Sequence, residues 1–282
     1  MNRKPLAGAV GAVALAASLT LLTVAALIAL TGCGSSGSSS AASPTASSTK
    51  LTVFAAASLN KVFPQIAAAF QQSHAGVTFT FNFAGTDTLT TQIEQGAPAD
   101  VFAGASTKYG DELSGKGLID SPRTFATNAL VVVVPAANPA HITSLRDLTK
   151  PGVKLVIGDA TVPIGAYTRK VLANLDAVYG ASYSAKVTKN VVSEALDATS
   201  ILTSASLGNA DAGFVYVTDA RSAGDHVRTI ALPAAAQAIA SYPIGVVTAS
   251  KNAIVARQFA TFVLGPQAQA ILKSAGFGPP SQ

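Results

Sequence analysis

Four places in this 282-residue chain put a small or hydroxyl-bearing residue where a predicted strand gives way at once to a predicted helix. The first is Phe54-Ala55-Ala56-Ala57-Ser58-Leu59, with Ser58 at the expected N-cap of the helix that follows. In Phe83-Ala84-Gly85-Thr86-Asp87-Thr88-Leu89, Gly85 permits an unusual backbone angle and either Thr86 or Asp87 can cap. The third runs Gly158-Asp159-Ala160-Thr161-Val162-Pro163-Ile164-Gly165, and the fourth is Asp197-Ala198-Thr199. The first turn of a helix carries unpaired N–H groups and a partial positive charge. Several such starts converging on one cleft would hold an anion with hydroxyls and amides, without lysine or arginine. Taken singly, each junction is an ordinary structural cap, so the reading rests on the set.

Catalysis is not expected. Ser58 lacks a Gly-x-Ser-x-Gly elbow, and His74, His141 and His226 fall in predicted loops or helix ends away from the junctions. Nor is there a Cys/His/Asp/Glu spacing for a metal cage or a Gly-rich phosphate loop with lysine, so no cofactor is expected.

The elements that must position these junctions alternate. Strands are predicted at 51–55, 77–83 and 100–103, with helices at 59–71 and 88–95 between them; this βαβαβ order implies a mostly parallel sheet with ligands at the carboxyl ends of its strands. Leu130-Val131-Val132-Val133-Val134 reads as a first crossover strand into a second lobe. That lobe holds strands at 154–157, 212–217 and 229–231 and helices at 166–175 and 199–207. Ile244-Gly245-Val246-Val247 reads as the return, followed by helices at 253–264 and 266–274. The expected division is therefore 50–130 and 242–282 for lobe 1 and 131–241 for lobe 2.

Composition excludes other classes. Hydrophobic residues make up 49% and charged ones 12%, which is not the profile of a disordered chain. The net charge is +5; without Arg3 and Lys4, which lie in a segment expected to be cleaved, 17 cations against 14 anions leave +3. No basic run interleaved with aromatics is present, so nucleic acid is not an expected partner.

The amino terminus carries an address. Met1 to Lys4 is short and basic, Pro5 to Leu30 is almost wholly apolar, and Leu30-Thr31-Gly32-Cys33 follows, which resembles a bacterial lipobox. The resemblance implies a signal peptide over 1–32, a lipid on the Cys33 thiol, and export to the outer face of the cell membrane. A permanent transmembrane helix is the alternative. Residues 33–49, rich in Ser and Ala, read as a flexible tether. Cys33 is the single cysteine, so an internal disulfide is excluded.

Longer strings then become specific. Val53-Phe54-Ala55-Ala56-Ala57-Ser58-Leu59 and Thr91-Gln92-Ile93-Glu94-Gln95-Gly96-Ala97-Pro98-Ala99-Asp100-Val101-Phe102 stand in order with Gly158-Asp159, Val162-Pro163, Ala210-Asp211-Ala212-Gly213-Phe214-Val215-Tyr216, Tyr242-Pro243 and Gly265-Pro266-Gln267-Ala268. With these strings the chain resembles the periplasmic molybdate-binding proteins of ABC transporters. The resemblance implies an α/β, two-lobed periplasmic-binding-protein fold with two crossover strands, a monomer, and a permease partner. It also implies molybdate or tungstate held by the hydroxyls of Ser58, Thr86 and Tyr216 and by the backbone amides of Ile164 and Ala198. Thr86 departs from the family's usual serine by a methyl group. Asp87 and Asp159 are expected to point away from a dianion, Asp159 bracing its turn. The alternative cargo is another oxyanion, such as sulfate, thiosulfate or a phosphonate.

Overall fold

Runs of β-branched and aromatic residues become the strands that the pattern predicts, and the apolar-periodic stretches between them become helices. The computed structural model describes residues 48–280; the expected signal peptide, Cys33 and the tether up to residue 47 lie outside the described residues. The first lobe opens with β1 (Thr49–Ala56), a 3-10 turn (Ala57–Leu59), α1 (Phe63–Gln71), β2 (Val77–Ala84), α2 (Thr86–Glu94), β3 (Val101–Ala103), α3 (Thr107–Gly115) and β4 (Arg123–Asn128). The second comprises β5 (Leu130–Pro135), β6 (Leu155–Gly158), α4 (Pro163–Tyr179), α5 (Tyr183–Thr188), β7 (Val191–Ala195), α6 (Ala198–Ser206), β8 (Ala212–Tyr216), α7 (Val217–Ala223) and β9 (Val227–Ile230). The chain then returns through β10 (Ala240–Val246) to α8 (Ala253–Val263) and α9 (Pro266–Ala275).

Two five-stranded sheets result, in the orders β2-β1-β3-β10-β4 and β7-β6-β8-β5-β9. Both are mixed where mostly parallel sheets were expected. β1 is parallel to β2 and β3, whereas β10 is antiparallel to β3 and β4. Likewise β6 is parallel to β7 and β8, whereas β5 is antiparallel to β8 and β9. The antiparallel members are the strands by which the chain enters a sheet from the other lobe. No right-handed βαβ crossover leads into them, so nothing forces them parallel.

The lobes are stitched closely. Ala129 alone separates Asn128 of β4 from Leu130 of β5, so the run 130–134 lies wholly in the second sheet and is not itself the crossover. Fully buried Phe63, Phe70, Phe125 and Phe259 fill the first lobe, with Phe70 and Phe259 edge to face at 5.4 Å. Burying each such ring contributes about 1.5–3 kcal/mol. The core fixes α1 and α8 against the sheet and leaves the strand ends free for the site. Among the described residues no helix is long and apolar enough to cross a membrane.

Candidate functional site

The carboxyl ends of β1, β2, β6 and β8 converge, and Ser58, Thr86, Ile164, Ala198 and Tyr216 all line one cavity between the two sheets. Its volume is about 20 Å³, counted as room for the centre of a water molecule. Treated as a sphere and enlarged by the ~1.4 Å radius of that water, it is a hollow about 3 Å in radius. That is the scale of one tetrahedral oxyanion, too small for a sugar or an amino acid.

Each residue arrives by its own local rule, and two differ from the expected pattern. Ser58 is not a helix N-cap: it lies inside the 3-10 turn Ala57–Leu59, and α1 starts only at Phe63, with a proline in its first turn. The tight turn aims the hydroxyl into the cavity side of β1, 3.0 Å from the Tyr242 hydroxyl. Thr86 is the first residue of α2, and neither it nor Asp87 caps that helix; Gly85 takes the cap position with an ordinary φ of −56°. The Thr86 hydroxyl accepts the Ala105 N–H at 3.1 Å, which leaves its own proton to donate.

On the facing lobe, Ile164 is the second residue of α4, behind Pro163, and Ala198 is the first of α6. Among the described residues neither N–H donates to another backbone group, as expected for first-turn amides. Asp197 caps α6, its carboxylate accepting from the Ser200 N–H at 2.8 Å and the Ser200 hydroxyl at 3.0 Å. Tyr216 closes β8 and is the N-cap residue of α7, a fifth helix start not read from the sequence. Its hydroxyl is buried and has no partner among the described residues. Burial and the neighbouring Tyr242 hold its pKa well above the ordinary range, so the phenol stays a neutral donor.

The electrostatics favour an anion held by dipoles. Among the described residues no lysine or arginine lines the cavity. Asp87 and Asp159 are not among its lining residues, and the Asp159 carboxylate accepts from the Thr161 hydroxyl at 2.5 Å and its N–H at 2.8 Å. Asp197, whose part in the lining was not anticipated, is turned back into its own helix by the Ser200 bonds. Among the described residues no group of three or more His, Cys, Asp or Glu could hold a metal ion. A hydrogen bond links the lobes: the Tyr109 hydroxyl of α3 donates to the Thr161 carbonyl of the second lobe. A side chain on Gly85 would meet the Leu196 carbonyl at 2.6 Å, so glycine is required by this close approach.

Behind Tyr216 lies Asp219, which accepts the Tyr216 N–H at 3.3 Å. Burial pushes its carboxyl from 3.8 up to about 7, with Asp197 adding to the rise. Between these two values the unfolded chain has released the proton while the folded chain retains it. Folding stability contributed by this group therefore falls as pH rises through that window and levels off above it. Asp219→Asn should flatten this part of a pH–melting profile; an unaltered slope would contradict the assignment.

Two α/β lobes with donors converging from both sides of an interlobe cavity define a solute-binding protein. Residues 51–278 match the family of bacterial extracellular solute-binding proteins, and the chain belongs to that family. The molybdate-binding protein ModA of Mycobacterium tuberculosis is 39% identical over 238 residues, spanning 84% of this chain and 87% of its own. In structure the chain is similar to the periplasmic molybdate-binding protein of Azotobacter vinelandii, at 22% identity and a TM-score of 0.70 over 82% of this chain and 100% of that one. It is also similar to the sulfate-binding protein SubI of Mycobacterium tuberculosis, at 21% identity and a TM-score of 0.73 over 82% and 87%. At those identities the two structures speak for the fold alone.

Proposed function

We propose that the protein captures molybdate, and tungstate equally, in this interlobe cavity and presents it to the permease of an ABC importer. The observation that carries the reading is a cavity of single-ion size, lined from both lobes by hydroxyls and first-turn amides and, among the described residues, by no lysine or arginine. Its ligands in this proposal are Ser58, Thr86 and Tyr216 through hydroxyls and Ile164 and Ala198 through N–H groups. A fully deprotonated tetrahedral dianion needs donors only, which is what this set offers. Hydrogen bonds to a charged group contribute roughly 1.5–3 kcal/mol each, so five offset a large desolvation cost. The name of the Mycobacterium tuberculosis relative supports the same cargo. The protein would act as a monomer without catalysis, tethered to the outer face of the membrane by lipid on Cys33.

Calorimetric titration of the purified protein with molybdate, tungstate, sulfate and phosphate tests this. Molybdate and tungstate should bind alike and one to one. Sulfate, being smaller, should reach fewer donors at once and bind far more weakly. Phosphate carries a proton that would take up a lone pair of a lining hydroxyl needed as a donor, so it too should bind more weakly. A preference for sulfate or phosphate would overturn the proposal in favour of another oxyanion.

A further inference from the structure

Ser58 faces the cavity with a hydroxyl that can either donate or accept, and a dianion needs it to donate. What stands behind it is a buried chain of side chains from the junction between the lobes. Asn128, the last residue of β4 and 2% exposed, directs its amide nitrogen to the Tyr242 hydroxyl at 3.3 Å and to the Thr218 hydroxyl at 2.8 Å. Tyr242, 0% exposed, is in turn 3.0 Å from the Ser58 Oγ. A break in the β10–β4 register falls between Tyr242 and Pro243, where the ring nitrogen has no proton for the ladder. Tyr242 packs edge to face on Phe125 at 6.1 Å and on Phe277 at 5.4 Å, so the ring is fixed on both sides.

We propose that Tyr242, oriented by Asn128, is a positioning residue that commits Ser58 to donating its proton into the cavity. With Asn128 Nδ2–H donating to the Tyr242 oxygen, the phenol proton is left for Ser58 Oγ, and the Ser58 proton is left for the ion. The reverse direction would consume the Ser58 proton on Tyr242 and turn a lone pair toward a dianion. Burial keeps the Tyr242 pKa above its ordinary range, so the phenol has its proton to give. Each donation polarises the next hydroxyl and strengthens the last bond of the chain. The same amide nitrogen also donates to the hydroxyl of Thr218, two residues beyond Tyr216. The same amide therefore ties a first-lobe ligand to the backbone that carries a second-lobe ligand.

The inference rests on the proposed molybdate site, and a double-mutant cycle separates it from that reading. Molybdate titration of the wild type comes first: no binding there would sink the cargo assignment, whatever the variants do. With wild-type binding in hand, Tyr242→Phe should weaken molybdate about tenfold, the loss expected when a hydrogen bond aimed at a charge is misdirected. Added to Ser58→Ala, it should cost no more than about twofold further, because Tyr242 acts through the hydroxyl already removed. A tenfold loss that persists in the Ser58→Ala background, or wild-type affinity in Tyr242→Phe alone, would overturn the proposal. Should Tyr242→Phe not fold, Asn128→Leu enters the same cycle, with a smaller expected loss that also vanishes on Ser58→Ala. A loss that stays undiminished there overturns it equally.

Discussion

Tyr216→Phe should weaken molybdate by roughly 10- to 100-fold, the value of one hydrogen bond to a charged group, while leaving the ligand-free protein as stable as before. Both effects follow from one observation. The Tyr216 hydroxyl is buried at the cavity and makes no hydrogen bond to another protein group among the described residues, so losing it breaks no contact within the free protein. Removing the oxygen therefore costs the free protein little and deletes a donor from the complex. Tyr216 is 2% exposed and its ring meets Tyr242 at 6.0 Å, so phenylalanine keeps the packing. Melting temperatures with and without molybdate check both effects. A variant that melts lower when free and binds as tightly as wild type would show a tyrosine that only packs.

Gly165→Ala should do more damage, lowering stability by about 3 kcal/mol and abolishing measurable binding. The end of β6 crosses the first turn of α4 with no space between backbones. A Cβ on Gly165 would collide with the Asp159 carbonyl, and one on Gly158 would lie 2.5 Å from the Gly165 nitrogen. Neither obstacle is a flexible side chain, so α4 itself must move. The Ile164 N–H moves with it, and hydrogen bonds weaken steeply with distance and angle. Denaturant unfolding and titration together test this; a variant with normal midpoint and affinity would show that the helix start has slack not visible in the packing.

Much of the site was legible because local chemistry built it. Pro163 and Asp197 are local helix-start signals, and α4 and α6 begin at Pro163 and Ala198, ahead of the expected starts at 166 and 199; Ile164 and Ala198 as amide donors follow from the resemblance alone. Ser58 lies at the strand end that the pattern marks, but it is not a helix N-cap, although Leu59 to Gln71 is apolar enough to suggest one continuous helix. Pro64 instead delays α1, and the 3-10 turn takes Ser58. Tyr242 stood in a recognisable Tyr-Pro string without an assignable part. Its partner Ser58 is 184 residues away, and no spacing rule carries that contact.

The elements missed have physical reasons as well. β7 is an edge strand whose residues are exposed or half-buried throughout, so it lacks the alternation that marks a half-buried strand. α3 is only nine residues long and carries Gly110 inside it and Gly115 at its end, both poor helix formers. It holds because Gly110 lets the helix approach Pro243, where a Cβ would come within 3.1 Å. That helix supplies Tyr109 to the interlobe contact with Thr161, a feature of closure that no local pattern announces.

In the proposed site, hydroxyls and helix-start amides from both lobes hold the ion without a lysine or arginine. A crystal structure of the protein with molybdate, the metal located by its anomalous scattering, tests it most directly. The ion should sit in the interlobe cavity with its oxygens at about 2.7–3.1 Å from Ser58 Oγ, Thr86 Oγ1, Ile164 N, Ala198 N and Tyr216 Oη. An ion bound elsewhere, or held in the cleft by a lysine or arginine side chain, would contradict the account.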